Sequence, residues 1–349
     1  MSPRVLVAGD FRWDLYEPAL CRALRSVGAE VFELHARALL GPGELFRRAQ
    51  EKLQLGPGRV AAQAAFVALC ALHQPDLAFA WRAPWLGPLA IEAARRAGAR
   101  KVVLYNNDDP FGPDAGTRLW RAWRRGVPAP DLVLAYRSGN LPELRAAGAR
   151  ACALWRSAYD PAVHRPLTLT PEEQRRFSCD VVFVGHCEDD GRLALLERLC
   201  AAGLSVKIFG TGWEGQTRGR PWEAQGPIAP VRGDDYARAL SGARSALVLL
   251  SGRNRDLYTR RCFEIPACGT AMLLPRNPET LALFESAPGD EEAFFFEGPD
   301  ELVAQARRAC ADEPLRARVA AAGRSRVQRD GHDLHSRAKE LLALSGVGL

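Results

Sequence analysis

Asp180-Val181-Val182-Phe183-Val184-Gly185 is an apolar run of strand length that stops on a glycine. A helical pattern follows over 191–202. Val206-Lys207-Ile208-Phe209 then repeats the strand signal and stops on Gly210. Strand, helix and strand in that order make a β-α-β unit with parallel strands. The chain opens in the same way. Val5-Leu6-Val7-Ala8 ends at Gly9, a helical pattern runs from Leu15 to Val27, and Val31–Leu34 is the next strand. A chain that starts this rhythm twice is expected to build two doubly wound α/β sheets, with ligands at the carboxyl ends of the strands and in the cleft the two domains face.

The intervening residues fit. Strands are predicted at 76–80, 101–105, 132–135 and 151–154, with helical patterns at 44–73, 86–97 and 141–147. The rhythm fails between Trp155 and Ser178, where Pro161, Pro166 and Pro171 lie in a polar stretch. It then resumes through a helix at 236–241, a strand at 246–250, a helix near 258–268, a strand at 271–274 and closing helices. This divides the chain into a Rossmann-like domain at 1–160, a linker at 161–178, a second Rossmann-like domain at 179–330, and a C-terminal helix at 331–349 expected to pack back on the first domain.

Composition agrees with two domains. A single core stops growing at about 250–300 residues, and this chain has 349. Hydrophobic residues make up 47% and charged residues 25%, as in ordinary globular chains. No signal peptide is visible in the opening residues. The longest apolar run, Val60 to Leu72, is too short to cross a membrane and reads as a buried helix. Nine scattered cysteines form no C-x-x-C pair and no zinc spacing, which points to reduced core thiols and a cytoplasmic protein. The net charge of +6 is uneven: residues 1–160 hold 22 basic and 15 acidic side chains. That half would suit an acidic partner or membrane surface, or simply carry a solvated basic face. No nucleic-acid partner is expected.

Gly210-Thr211-Gly212-Trp213-Glu214-Gly215 is a literal G-x-G-x-x-G after a strand, but no helix follows it. Without a helix N-terminus a dinucleotide pyrophosphate loses its amide donors, so a nicotinamide or flavin role is set aside.

The segment Asp256-Leu257-Tyr258-Thr259-Arg260-Arg261-Cys262-Phe263-Glu264-Ile265-Pro266-Ala267-Cys268-Gly269 is the most informative. A helix here puts Arg260 and Glu264 on one face, one turn apart. A carboxylate at Glu264 can accept hydrogen bonds from a ribose diol. Arg260 and Arg261 can bind diphosphate oxygens and offset the charge of a departing nucleotide. A surface ion pair between Arg260 and Glu264 is the plainer reading.

Phe263 to Gly269 resembles the E-A-x-A-C-G element of GT-B, group 1 glycosyltransferases. It is closer to the R-x-F-E-I-x-A-C-G of their CgeB-like branch, named for a spore maturation protein. Asp180–Gly185 and Ile208–Trp213 resemble strands of that family's donor domain, and Phe294 to Val327 resembles its tail. Matches in the first half are limited to Asp108-Asp109-Pro110 and to Tyr159-Asp160-Pro161 before Arg165-Pro166. The resemblance implies a nucleotide diphosphate sugar as donor and an unidentified acceptor, whether glycan, protein, lipid or small molecule. No cofactor and no metal are implied. It implies that Glu264 binds the ribose, that Gly185 and His186 lie under the diphosphate, and that Gly210 belongs to the donor site; His186 is also a catalytic candidate, or an ordinary loop histidine. Trp213 would border the base, or pack in the core. Asp256 occupies the place where retaining relatives carry a glutamate, eight positions before Glu264. The acids Asp189 and Asp190 would precede a helix whose dipole faces the phosphates, or simply cap it.

An inverting reaction needs a base for the acceptor hydroxyl. Asp10 and Asp14 follow the first strand, and Asp108 and Asp109 follow the strand at 101–105. The alternatives are turn residues or an Asx-turn before Pro110. The basic, aromatic run from Thr117 to Arg125 puts Trp120 and Trp123 on one helix face, to rest on an anionic membrane, hold an acceptor or fill the core. Two other functions share this pattern: a nucleotide-sugar epimerase or phosphorylase, and a non-catalytic nucleotide-sugar-binding module.

Overall fold

Six parallel strands form the first sheet: β1 (Arg4–Gly9), β2 (Glu30–His35), β3 (Leu77–Trp81), β4 (Val102–Asn106), β5 (Leu132–Ala135) and β6 (Cys152–Leu154). The structure is a computed structural model that describes residues 2–41 and 43–348. The strand order is β2-β1-β3-β4-β5-β6. The central strands are apolar almost throughout and fully buried, as helices covering both faces of a parallel sheet require. The order reverses between β1 and β3, so the ligand crevice of this sheet is expected beyond their carboxyl ends.

This sheet belongs to a unit that runs to Ser157 and also takes in Arg253–Arg255 and the chain from Leu334 onward. Its final helix, Leu334–Leu344, packs on the helix Glu17–Ser26. There His335 Nδ1 lies 2.9 Å from Ser26 Oγ, and Trp155 Nε1 donates to the Arg337 carbonyl (3.1 Å).

One expectation changes here, and one open choice falls to the core reading. The apolar run 60–72 lies in the helix Pro57–His73, but only one stripe of it is buried, through Ala62, Phe66 and Cys70. Val60 and Leu72 face solvent. A four-residue spacing selects a single helix face, so an all-apolar run does not guarantee burial all round. The helix Arg118–Gly126 is capped by Thr117 and turns Trp120 and Trp123 inward, against Val133 and Leu144. These indoles therefore offer nothing to a membrane.

The second sheet has five parallel strands: β7 (Cys179–Val184), β8 (Val206–Phe209), β9 (Ala243–Leu247), β10 (Ala271–Pro275) and β11 (Phe294–Phe296). Their order is β11-β10-β9-β7-β8, which reverses between β7 and β9. The core lies between this sheet and helices on either face, with Phe183, Leu196, Ile208, Leu273 and Leu302 all buried. The second unit begins at Ala158, so 161–178 is part of it and not a linker. Prolines suggested otherwise, but Pro171 opens the helix Pro171–Phe177, where its missing N–H has no partner to lose. Thr170 and Glu173 cap that helix reciprocally, and buried Phe177 anchors it. No single helix among the described residues is long and apolar enough to cross a membrane.

Candidate functional site

At the carboxyl end of β7 the chain passes through buried Gly185 to exposed His186, alongside the end of β8. Gly185 N–H donates to the Phe209 carbonyl at 2.8 Å. A Cβ on Gly210 would collide with the Gly185 carbonyl oxygen, and one on Gly212 would strike the His186 ring. The glycines of the G-x-G run therefore let two strand ends approach each other, which explains that motif without a dinucleotide. His186 Nδ1 lies 3.0 Å from Thr211 Oγ1, leaving Nε2 as the ring nitrogen that can meet a ligand. Trp213 is buried under this turn and donates from Nε1 to the Gly185 carbonyl (2.9 Å). It braces the glycine from beneath.

The helix Arg192–Ala201 starts after Gly191. Asp190 accepts from the Arg192 backbone N–H at 3.2 Å and pairs with its guanidinium, which is itself buried. Asp190 is thus a local start residue.

The helix Arg261–Ala267 brings the arginines and Glu264 to this edge. Arg261 donates from Nε to the Val184 carbonyl. Its Nη2 would lie 3.2 Å from a Cβ on Gly185, so the guanidinium sits at the mouth of β7. Arg260 Nε donates to Glu264 Oε1 at 2.6 Å, and Tyr236 Oη donates to Glu264 Oε2 at 2.6 Å. His164 Nε2 approaches Oε1 at 3.5 Å. The carboxylate is buried among these partners. Burial alone would raise its pKa, but His164, Arg260 and Tyr236 hold it below the usual carboxylate range. Burial also lowers the His164 pKa and, with the Glu264 charge, raises that of Tyr236 well above its ordinary value. Each carboxylate oxygen has lone-pair capacity beyond these contacts. Asp256 is half-buried, its backbone N–H donating to the Ser251 carbonyl at 3.0 Å.

The acid candidates of the first unit separate clearly. Asp10 follows β1, and its backbone N–H donates to buried Glu17 Oε1 at 3.0 Å. Glu17 occupies the space a side chain at Gly9 would fill, and burial raises its pKa. Arg82 follows β3 in a left-handed conformation (φ 42°) and pairs with Asp108 at 2.5 Å. Such backbone strain at a non-glycine residue concentrates at functional edges. A small pocket here is lined by Asp10, Glu51, Arg82, Asn106, Trp120 and Trp123. The buried Asn106 Nδ2 has no hydrogen-bond partner, and burial beside Asp10 raises the Glu51 pKa. Asp14 is exposed.

Asp109 is different. Its side chain is fully buried and pairs with Arg255 (2.6 Å), with Asn140 Nδ2 and the Phe111 N–H each donating at 2.9 Å. Burial works to raise its pKa, but these partners outweigh it and hold it low. The Phe111 bond is the Asx-turn expected before Pro110. With its oxygens so engaged, Asp109 braces the loop and is poorly placed to act as a base.

Sequence reasoning missed His164, Tyr236, Glu17, Arg82 and Arg255. His164 lies inside the Tyr159–Pro166 match, which was the one available signal. The others carry no local pattern. Among the described residues no group of three or more His, Cys, Asp or Glu is gathered to hold a metal.

The family model described as "Glycosyl transferase-like" matches residues 192–343. No curated protein matches the chain. Sucrose-phosphate synthase from Thermosynechococcus elongatus is 13% identical, with 99% of this chain and 98% of that one covered and a TM-score of 0.71. HepE from Anabaena, solved with UDP and glucose, is 14% identical over 99% and 100%, with a TM-score of 0.67. α,α-Trehalose 6-phosphate synthase from Burkholderia multivorans is 13% identical over 98% of each chain, with a TM-score of 0.62. These likenesses establish the GT-B fold. The family match adds that residues 192–343, in the second half, resemble glycosyl transferase-like domains.

Proposed function

We propose that this protein, a member of the CgeB-like branch, transfers a sugar from a nucleotide diphosphate donor held by its second unit. One observation carries the reading: Gly185, His186 and Arg261 meet at the β7 end, beside the switch point of that sheet, and Glu264 lies one helical turn on from Arg261 with its carboxylate held by Arg260 and Tyr236. Glu264 binds the ribose hydroxyls. Gly185 lets the diphosphate approach the backbone, and His186 Nε2 donates to phosphate or sugar. Arg261 meets the charge that develops on the leaving diphosphate, so the reading names no cofactor or metal. The UDP held by HepE makes uridine diphosphate sugars the first donors to try.

On the acceptor side, Asp10 is the favoured base, with Asp108 behind it because Arg82 pairs with Asp108 at 2.5 Å while Arg37 stands 3.9 Å from Asp10. Nine unpaired cysteines support a reducing compartment, and we place the protein in the cytoplasm.

Calorimetric titration with UDP, GDP and ADP tests the donor site. One nucleotide should bind the parent, and Glu264→Ala should weaken it by about 1–3 kcal/mol, the loss of a charged hydrogen bond. No binding of any of the three would end this reading. An isomeric nucleotide sugar formed without acceptor would identify an epimerase instead.

A further inference from the structure

Seven of the twelve large apolar side chains exposed in the described chain fall between Leu39 and Leu72. Scattered exposed leucines are ordinary, but clustered ones mark a contact surface. The helix Glu44–Leu53 shows the pattern best. Leu45, Ala49 and Leu53 recur every four residues along one line, and all three face solvent, Leu45 at 83% exposure. Phe46 lies on the same exposed side. Arg48 and Lys52 run along one edge of this stripe, the Arg48 side chain 72% exposed while its Nε lies 3.3 Å from Glu44. The inward side holds Gln50, whose amide donates to the Leu40 carbonyl at 2.6 Å and whose oxygen accepts from the Gly58 N–H at 2.9 Å. The helix is therefore fixed with its apolar face outward.

The next helix extends the same kind of surface. Leu55, in the connection, is 70% exposed, and Val60, Ala61, Ala64, Ala68 and Leu72 face solvent on Pro57–His73. No charged residue occurs from Val60 to Leu72. The two helices are bent by 80° to each other, and the second is anchored in the core through Ala62, Phe66 and Cys70. A pair held this way can lie on a bilayer but cannot cross it.

We propose that this face docks the protein on an anionic lipid bilayer. Leu45, Phe46, Leu53 and Leu55 enter the acyl boundary, while Arg48 and Lys52 meet headgroup phosphates. Charge complementarity selects this occupant: the exposed cations border the apolar stripe, and residues 1–160 carry seven more basic than acidic side chains. The same surface places the docking on these helices and not on the Trp120–Trp123 segment, whose indoles are buried.

Sedimentation with lipid vesicles tests the proposal without any enzyme assay. The full chain should pellet with phosphatidylcholine vesicles containing phosphatidylglycerol and stay in solution with phosphatidylcholine alone. The double variant Leu45→Ser/Leu53→Ser should lower the partition coefficient by about tenfold or more, since each buried leucine contributes a large apolar term. Arg48→Glu/Lys52→Glu should remove the preference for anionic vesicles. All four positions are exposed, so both variants should melt as the parent does. Equal binding to both vesicle types, no binding by the parent, or full binding by the leucine variant would each overturn the proposal. So would a dimer by analytical ultracentrifugation that Leu45→Ser/Leu53→Ser dissolves, because a second copy would then cover the face.

Discussion

The imidazole of His164 turns Nε2 toward Oε1 of Glu264 at 3.5 Å, across one hundred residues of sequence. The backbone N–H of Asp160 donates to His164 Nδ1 at 2.9 Å. Nδ1 also lies 3.1 Å from the Asp160 carbonyl, so the ring is anchored at Asp160 with Nε2 facing the carboxylate. Tyr236 fixes the other oxygen of the same carboxylate. Glu264 is held in place before any donor arrives.

Tyr236→Phe should leave the fold intact but free Oε2 to move. A hydrogen bond to a buried charge contributes about 1.5–3 kcal/mol, and stability should fall within that range in urea titrations. KM for the donor should rise more than kcat falls. His164→Gln, which keeps a donor near Oε1, should do less harm than His164→Ala. Equal donor KM for the parent and all three variants would show that this network does not position Glu264 for binding.

The same network sets a pH dependence. Burial holds the folded pKa of His164 below its ordinary 6.5. The unfolded chain thus takes up a proton first, and stability falls as pH drops below about 6.5 toward the folded pKa. The depressed pKa of Glu264 extends the loss at lower pH, below its ordinary 4.5. The melting temperature should decline from pH 7 to 5, and His164→Gln should flatten the first part of that decline.

Arg260 and Arg261 should separate by phenotype. Arg260 pairs with Glu264, so Arg260→Lys should mainly weaken donor binding. Arg261 stands at the mouth of β7, and Arg261→Lys loses the planar fork there. It should lower kcat at saturating donor by tenfold or more, about 1.4 kcal/mol at the transition state. Full turnover by Arg261→Lys would assign this side chain to packing alone.

Asp10→Asn and Asp109→Asn should likewise diverge. Asp109 is buried, but its Arg255 partner is partly exposed, so removing the charge should cost about 1–3 kcal/mol of stability. Asp10→Asn should keep the parent melting point and donor affinity yet lower transfer. Parent transfer rates in Asp10→Asn and in Asp108→Asn together would move the base elsewhere.

Gly210→Ala gives a structural check. The added Cβ meets the Gly185 carbonyl, and the backbone there has a φ of 154°. Destabilisation by about 2–4 kcal/mol is expected, read from urea midpoints. Parent-like stability would mean that the β7 and β8 ends do not approach this closely.

The sequence by itself determined the two β-α-β rhythms, the strand-ending glycines and the arginine–glutamate face of the Arg261 helix. Each is a local matter, because hydrophobic period and turn chemistry act over a few residues. Tertiary structure decided what covers each face. Trp120, Trp123 and Trp213 look identical in sequence whether they line a site or fill a core, and only the strands beneath them bury them. The run Val60–Leu72 is apolar but for Gln63, yet one stripe of it is buried, Ala65, Val67 and Leu69 are half-buried, and Val60, Ala61, Ala64, Ala68 and Leu72 face solvent. Asp109 and Asp10 both follow strands, but Asp109 is closed in by an arginine 146 residues away, while Asp10 lies 3.9 Å from Arg37. Such pairings depend on which distant segments pack together, and that is fixed by long-range burial of whole elements, not by the residues beside them.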